Sequence, residues 1–482
     1  MQLSKEENLM SIKTRSGVLP KLALLTALLL LVATLLAACG DATATTAPAT
    51  TAAATTAAAT TAAVVATTAK AATTAAVAAT AAATTAGAGA ATTAAATGNV
   101  KYDGVIKFGA PLSLTGSLNN ESKQTQQGYN LWKDSVNAAG GIKVGGKAYE
   151  IQITYYDDES KQDKSAQLAE RLIKEDKVNF LLGPYGTNST KTMAAVAEQN
   201  KIPMVEGNGA AESIFSQDYK YTFGVLSPSG NYLKGVIEAI AAQNPKPKTV
   251  AILSANDNFS VEVADATKKL AESKGFQVVL YDKYPDKETN LTSQVSKAKD
   301  SNAEVLINSG HFNEAVALVK AAKELKYSPV AMGFSVGPGL PEFGDNLKAD
   351  ANYVLSGSQW TQALTYKGDD VFGTSQKYYD EFVKKFGNPP SYQAASGTAC
   401  GIAFQKAIEK AGDLDPKKVR DALAGLDVMS FYGQLKFDDR GVNIYKPMVV
   451  EQWQDGKKLT VWPGEVAQTK VQFPTPAWDK RS

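Results

Sequence analysis

A loop rich in glycine and hydroxyl side chains occupies residues Gly183–Thr190, between a predicted strand and a predicted helix. At the first turn of a helix the backbone N–H groups have no partner within the helix, and the helix dipole is positive. A loop of this kind can therefore bind an anion such as a carboxylate. Asn188, Ser189 and Thr190 could instead serve only to cap the helix, as such residues often do. The residues alone leave both interpretations open.

Two other motifs suggest enzymes, but each lacks a required part. Gly333–Gly337 has the G-x-S-x-G pattern of a hydrolase nucleophile elbow around Ser335. His311, the only histidine in the chain, precedes this serine, and the glycines and prolines after it do not favour the long helix that an elbow requires. Gly141–Ala148 approaches a phosphate-binding P-loop, but alanine replaces the magnesium-binding Ser/Thr and a strand follows. We therefore do not expect an enzyme.

The composition does not favour a metal, a cofactor or nucleic acid as a partner. One histidine and two cysteines are too few for ordinary zinc chemistry, and Asp157–Glu159 is more typical of a solvated turn than of a metal site. Residues 1–38 contain four Lys/Arg and two Asp/Glu, so 46 of the 50 basic and 46 of the 48 acidic residues lie beyond them. That remainder is formally neutral, and nothing in it indicates binding to a polyanion.

The N-terminal residues 1–38 have the pattern of a secretory signal peptide. Three basic residues between positions 13 and 21 precede the apolar run Leu22–Ala38, which is short for a membrane span. Leu36–Cys39 resembles the lipobox of bacterial lipoproteins, and this resemblance implies that the Cys39 thiol carries a diacylglycerol and becomes the N-terminus. Two acyl chains suffice for stable anchoring. An ordinary signal peptide or signal anchor with a chance cysteine is the alternative. We expect an extracytoplasmic protein, lipid-anchored to the cell membrane.

Residues 39–99 are predicted to form a disordered tether. Asp41–Gly98 consists almost entirely of alanine and threonine and has no aromatic residue. The β-branched threonines lower helix propensity, and such a segment cannot bury enough surface to offset the entropy lost on ordering. If Cys39 is lipidated, Cys400 is the one remaining cysteine, so no disulfide within the chain is expected.

Beyond the tether, strand and helix signals alternate in two successive series. The first runs from Val105 to Val205 and the second from Asn231 to Met332. Series of this kind predict an α/β fold with two lobes, each a mostly parallel sheet flanked by helices. Near the C-terminus, Gly433–Phe437 and Pro447–Trp453 are predicted to form an antiparallel hairpin.

Several short motifs occur together in this region, in a fixed order. They are Ala110–Leu112 with Leu114–Gly116, Asn137–Ile142, Tyr156–Asp158, Leu182–Pro184, Lys201–Met204, Phe437–Gly441 and Val450–Trp453. The set resembles the leucine/isoleucine/valine-type solute-binding proteins of ABC importers, which have a type I periplasmic-binding fold. This resemblance covers about residues 101–465. It implies two lobes joined by three hinge crossovers, with the ligand enclosed between the lobes.

The resemblance also divides the chain. The crossovers are expected near Tyr221–Leu226, Leu355–Gln359 and Tyr432–Leu435. The first lobe would then comprise about residues 101–224 and 357–432, and the second lobe about 225–356 and 433–465. Residues 466–482 would be a C-terminal tail.

In the first lobe, the resemblance assigns ligand contacts to two strand ends. The hydroxyl that contacts the ligand carboxylate in the family would be that of Thr187. The segment Asn208, Gly209 and Ala210 would offer backbone N–H and C=O groups to the carboxylate and ammonium of an amino acid.

In the second lobe, this chain departs from the family pattern. Family tyrosines that cover the ligand align with Phe259 and His311, and a glutamate that pairs with the ligand ammonium aligns with Ser335. Glu121 or Glu206 could replace that glutamate, or the ligand could lack an ammonium group. Aromatic side chains that could line the pocket, or simply pack in the core, are Tyr185, Phe312, Phe334 and Trp360.

These observations predict a solute receptor that closes on an amino acid or a related small amide or carboxylate. We expect leucine, isoleucine and valine not to be its tightest ligands. By resemblance the partners are an ABC permease and ATPase; we also expect a monomer that binds no nucleic acid. A sensing module of the same fold, without a transport role, is the alternative.

Overall fold

The computed structural model describes residues 101–481, which belong to one compact unit. The predicted signal peptide, Cys39 and the tether lie outside the described residues. Within residues 101–481, no helix is both long and apolar enough to cross a membrane.

Strands and helices alternate along most of this region. The strands are β1 Gly104–Leu112, β2 Ile142–Val144, β3 Lys147–Asp157, β4 Phe180–Leu182, β5 Met204–Glu206, β6 Thr222–Gly224, β7 Thr249–Ala255, β8 Gln277–Tyr284, β9 Val305–Ser309, β10 Ala331–Phe334, β11 Val354–Ser358, β12 Asp427–Ser430, β13 Gly433–Lys436, β14 Val449–Gln454 and β15 Lys457–Trp462. The α-helices are α1 Asn119–Ala138, α2 Gln162–Lys174, α3 Thr187–Asn200, α4 Glu212–Phe215, α5 Lys234–Ala241, α6 Asn258–Ser273, α7 Thr292–Asp300, α8 Phe312–Glu324, α9 Pro341–Leu347, α10 Ser375–Phe386, α11 Tyr392–Ala411 and α12 Pro416–Ala424.

Two separate sheets form the bodies of two lobes. The first lobe contains a six-stranded sheet in the order β2-β3-β1-β4-β5-β6, parallel except for β2. The second lobe contains a seven-stranded sheet in the order β15-β14-β11-β10-β9-β7-β8, in which only β14 and β15 run antiparallel to their neighbours. The prediction of an α/β fold with two mostly parallel sheets is confirmed.

The late helix α11 belongs to the first lobe, where it packs against α1 and β5. Its interface with α1 is close because both helices present a glycine there. A Cβ on Gly128 would overlap the carbonyl of Ala394, and one on Gly401 would overlap the Trp132 ring. Phe404 of α11 also reaches the rings of Phe108 and Phe180, with centroid separations of 5.3 and 5.2 Å. The helix thus completes the core of the first lobe.

The predicted hairpin between Gly433–Phe437 and Pro447–Trp453 is wrong. β13 pairs with β12 in a separate two-stranded ribbon, whereas β14 pairs with β11 and β15. The turn after β13 instead joins the first lobe, since Gly224 N–H donates to Gly441 O at 2.8 Å and Asn443 N–H donates to Gly224 O at 3.1 Å. These bonds hold the segment beside β6, away from β14.

Three crossovers connect the lobes, and hydrogen bonds join them to one another. The Gln359 side chain accepts from Ser227 N–H at 3.0 Å and donates to Ser227 O at 3.1 Å. Lys446 donates to Gln359 O at 2.7 Å. The third crossover therefore follows Asn443, while Tyr432–Leu435, where we expected it, lies at the β12–β13 ribbon.

The C-terminal segment packs on the second lobe. Gln472 N–H donates to the Gln452 side chain at 2.8 Å, and Thr475 N–H donates to Val330 O at 2.8 Å. Trp478 donates its indole N–H to Tyr327 O at 2.6 Å. Residues 466–481 thus contribute to this lobe's surface.

Candidate ligand-binding site

The first turn of α3 is the anion-binding candidate, and no side chain caps it in the described structure. Gly186, the residue before the helix, has φ of +90°, a conformation that favours glycine. Thr190 Oγ1 donates back to Gly186 O at 2.9 Å and so satisfies an acceptor, not an N–H group of the first turn. Thr187 is 2% exposed, and its hydroxyl has no hydrogen-bond partner among residues 101–481. This arrangement favours the anion site over the capped helix.

Thr187 faces a cavity of about 610 Å³ that both lobes line. The first lobe contributes Tyr185 and Thr187, and the second lobe contributes Asp257, Lys287 and His311. A cavity of this size suits a small molecule.

His311 links the lobes at one wall of this cavity. Its Nδ1 lies 2.9 Å from the Tyr185 hydroxyl of the first lobe, and its Nε2 lies 3.5 Å from Asp257 Oδ2 of the second. Burial lowers the pKa of His311, but the carboxylates of Asp257, Glu314 and Glu121 outweigh burial and raise the pKa to about 9. His311 is therefore a cation at neutral pH and can donate from both nitrogens.

The residues after His311 are also held by the first lobe. Phe312 N–H, in the first turn of α8, donates to Glu121 Oε1 at 3.0 Å. Asn313 Nδ2 donates to Ser117 O at 2.9 Å. Burial raises the pKa of Glu121, although the charge of His311 opposes that increase. We call the contacts of residues 311–313 with the first lobe the clasp, because they join the two lobes across the cleft.

Five rings form a continuous series across the cleft. Their successive centroid separations are 6.2 Å for Tyr392–Tyr232, 4.9 Å for Tyr232–Phe259, 5.8 Å for Phe259–His311 and 5.8 Å for His311–Tyr185. Phe259, His311 and Tyr185 were predicted site residues, and the structure brings them together. Tyr232 and Tyr392 were not predicted.

The segment 208–210 is already engaged by a carboxylate of the protein. Glu206 Oε2 accepts from Asn208 N–H at 2.9 Å and from Gly209 N–H at 2.6 Å. Ala210 O accepts from Ser229 N–H at 2.8 Å. Burial raises the pKa of Glu206 to about 8, against the effect of the two N–H donors. A ligand contact by these N–H groups stays a prediction, and it would require Glu206 to release them.

Ser335 and Trp360 lie apart from the five rings. Ser335 is buried, and its hydroxyl lies 3.2 Å from both the N and the O of Gly310. Neither ring nitrogen of His311 bonds to it. The Trp360 ring packs against Tyr378 and Phe431 at 5.3 and 6.0 Å.

Asp257, Tyr232 and Tyr392 were not predicted as site residues, because each has another explanation in its local sequence. Asp257 precedes α6 and accepts Ser260 N–H at 3.0 Å, so it reads as an ordinary helix cap. Tyr392 opens α11 directly after a proline pair and a serine, and Tyr232 follows a crossover. An aromatic residue beside a crossover or a helix start is the available clue.

Two lobes with a ligand-sized cavity between them are typical of a solute-binding protein. Residues 105–458 match the family model described as "Periplasmic binding protein". This match covers most of the chain, and the chain belongs to that family, whose members bind solutes and are not enzymes. The family implies an extracytoplasmic location and association with an ABC transporter.

Relatives and solved structures agree with this membership. Leu/Ile/Val-binding protein homolog 8 of Brucella abortus (strain 2308) is 26% identical over an alignment of 391 residues, which covers 76% of this chain and 93% of the relative. The isoleucine complex of the LivJ substrate-binding protein from Streptococcus pneumoniae has a TM-score of 0.66 at 20% identity, covering 77% of this chain and 100% of that one. A solute-binding protein of R. palustris with benzoate has a TM-score of 0.63 at 17% identity, covering 77% and 97%. The fold is that of type I periplasmic binding proteins.

Proposed function

We propose that this protein is the extracytoplasmic solute-binding component of an ABC importer. It captures an amino acid or a related small amide or carboxylate as its two lobes close. Cys39 carries the lipid that anchors it, residues 39–99 form the tether, and the binding protein acts as a monomer.

One observation carries the proposal. Among residues 101–481, the buried hydroxyl of Thr187 has no hydrogen-bond partner and no side chain caps the start of α3. Thr187 lines a cavity whose other wall includes His311 and Asp257. A carboxylate placed there would receive hydrogen bonds from the hydroxyl and the first turn of the helix. The second lobe would then cover it.

The five rings described above indicate which chemical group the ligand carries besides its carboxylate. Two of them, Tyr185 and His311, line the cavity, and their ring surfaces suit an aromatic or amide-bearing group better than a small branched aliphatic one. Of the structural neighbours, one is a complex with isoleucine and others are complexes with benzoate and 4-hydroxybenzoate. Those three ligands share a carboxylate, the group that we place at Thr187. Because the rings in the cavity favour an aromatic or amide-bearing group, we expect leucine, isoleucine and valine to bind less tightly than the preferred solute.

A thermal-shift screen of amino acids, amides and aromatic acids tests the proposal. A ligand at 100 times its Kd that binds only the folded state adds about 2.7 kcal/mol of stability. Thr187→Val should weaken binding of a carboxylate ligand by about 1–3 kcal/mol, the range for a lost buried hydrogen bond. Thr192→Val is the matched control, because Thr192 lies on the same helix but does not line the cavity. Equal affinities for wild type and Thr187→Val would refute the assignment.

The anchor has its own test. Cys39→Ser should release the protein from the membrane or leave it as an unprocessed precursor. A variant that stays on the membrane after loss of its signal segment would show that Cys39 is not the anchor. Fractionation of cells with detection of the mature N-terminus distinguishes these outcomes.

A further inference from the structure

A second cavity, of about 710 Å³, also lies between the two lobes. It shares no lining residue with the cavity at Thr187, and residues 311–313 of the clasp are not part of it. The first lobe contributes Tyr379 of α10 and the loop residues 387–390, and the second lobe contributes α9 and the turn between β14 and β15. The volume is in the range of small-molecule sites.

One wall of this second cavity is the indole ring of Trp453, and its neighbours hold it in place. The indole N–H donates to Pro338 O at 2.8 Å, and the Phe343 ring lies at a centroid separation of 6.3 Å. A Cβ on Gly344 would lie 2.3 Å from the indole, so α9 packs directly on the ring. The other apolar side chains of the lining are Pro341, Pro389, Pro390 and Leu459. This part of the cavity suits an apolar group, whose burial there would remove it from water.

The charged residues of the lining are three lysines and one aspartate, namely Lys348, Lys457, Lys458 and Asp345. Lys348 and Asp345 are 3.9 Å apart, and their side chains are 76% and 77% exposed. An exposed pair of this kind contributes little. Lys457 has no ion pair among residues 101–481. The lining therefore has more positive charge than negative charge.

Lys458 is the cation of the lining whose position is best fixed. Its side chain is 15% exposed, and its Nζ donates to Gly339 O at 2.5 Å. The same Nζ lies 3.5 Å from Oε2 of the buried Glu451, behind the lining, which is longer than a good hydrogen bond. Burial raises the pKa of Glu451, although the charge of Lys458 opposes that increase. Because an ammonium group has three N–H donors, Lys458 can donate to a further acceptor.

We propose that this second cavity binds a small organic anion with an apolar body, at a site separate from that of the solute. The acidic group of the anion lies among Lys348, Lys457 and Lys458, and its apolar body lies against Trp453. The lysines would repel a cation, and a neutral molecule would gain nothing from their charge. The inference goes beyond the proposed function and does not depend on it.

An anion in this cavity would contact both lobes, since Tyr379 belongs to the first lobe and Trp453 to the second. Its affinity should therefore depend on the relative position of the lobes. Reciprocity then requires that the anion and the solute change each other's affinity by the same factor. The second cavity would thus be a regulatory site.

Calorimetry on the full chain with three eight-carbon probes tests the inference. Octanoate, octan-1-ol and octylammonium have the same apolar chain but differ in charge. Octanoate should bind at one site and at least tenfold more tightly than either of the other two. The double variant Lys348→Gln with Lys457→Gln should weaken octanoate binding fivefold or more. The charge-matched control is Lys269→Gln with Lys320→Gln, two exposed lysines of the second lobe outside the cavity, and it should bind octanoate as the wild type does.

Thr187→Val distinguishes the two cavities, because octanoate is also a carboxylate. Octanoate should bind this variant as tightly as it binds the wild type. If Thr187→Val loses octanoate binding and the Lys348/Lys457 variant keeps it, the anion occupies the solute site, and the inference is wrong while the proposed function stands. Equal affinities for the three probes, or no saturable binding of octanoate, would overturn the inference from the wild type alone.

Discussion

The first lobe has two buried glutamates, and the backbone N–H groups that donate to them come from different lobes. Glu206 takes both of its donors, Asn208 and Gly209, from its own lobe. Glu121 takes its donor, Phe312, from the other lobe, and its second oxygen has no hydrogen-bond partner in the part of the chain that the structure describes. The first carboxyl group therefore stabilises one lobe, whereas the second joins the two lobes. Burial raises the pKa of both carboxyl groups. The lobe that supplies the N–H donors, and not the pKa, therefore distinguishes the roles of Glu206 and Glu121.

The largest expected difference is in the free energy of unfolding of the two alanine variants, Glu206→Ala and Glu121→Ala. Glu206→Ala leaves two buried N–H groups without acceptors and opens a cavity, so the free energy of unfolding should fall by about 3–5 kcal/mol. Glu121→Ala should cost about 1 kcal/mol or less, because Phe312 N–H can reach water when the lobes separate. Urea unfolding measures both. Similar losses would show that Glu121 is also structural.

The pH dependence of stability isolates Glu206. A carboxyl whose pKa rises from its ordinary value of about 4.3 to about 8 on folding stabilises the fold fully at pH values below 4.3. That contribution is lost as the pH rises towards 8, by up to about 1.4 kcal/mol per pH unit. Glu206→Gln should flatten this part of the profile and gain relative stability at pH 8. A wild-type slope in the glutamine variant would contradict the assignment.

His311 should contribute a second pH dependence, which overlaps that of Glu206 and extends to higher pH. Its pKa of about 9 in the fold exceeds the ordinary value of about 6.5, so its stabilising effect is complete below 6.5 and lost as the pH rises through 9. His311→Gln should remove the loss between those values but leave the Glu206 window unchanged. Thermal denaturation from pH 6 to pH 9.5 compares the variants. If His311→Gln loses the same stability as the wild type between those pH values, a group other than His311 is responsible.

The smallest expected effect concerns the Tyr185 hydroxyl. Tyr185→Phe removes one bond to a charged imidazole, worth about 1.5–3 kcal/mol in the closed form, but leaves the ring contact at 5.8 Å. Ligand affinity should fall about 10-fold or more, with little change in unfolding. Tyr156→Phe is a suitable control, since its hydroxyl bonds to Asp176 in the first lobe. A large stability loss in Tyr185→Phe alone would argue for a structural role.

Much of the fold follows from the sequence because buried strands and amphipathic helices carry local signals. The strands around Val250 and Leu306 are short apolar runs, and α8 shows a helical spacing of apolar residues. The pairing of β13 does not follow, because a four-residue strand specifies no partner by itself. Its place depends on the bond between Gly224 and Gly441, which are far apart in sequence.

The site was predictable in part for the same reason. Thr187 belongs to a local pattern, a glycine-rich loop before a helix, and His311 is prominent as the only histidine. Asp257 was not predicted because helix capping is a sufficient explanation for an aspartate before α6. Tyr392 was not predicted because the ring that it contacts, Tyr232, lies in the other lobe. A contact between residues of different lobes produces no recognisable pattern in the sequence around either residue.

Lobe closure on a ligand bound at Thr187 is the central claim, and small-angle X-ray scattering of residues 100–482 tests it most directly. With a ligand identified by thermal shift, at saturating concentration, the radius of gyration of the wild type should decrease. The same concentration should compact Thr192→Val equally and Thr187→Val less. A tightly bound ligand that leaves the wild-type radius unchanged would contradict the account.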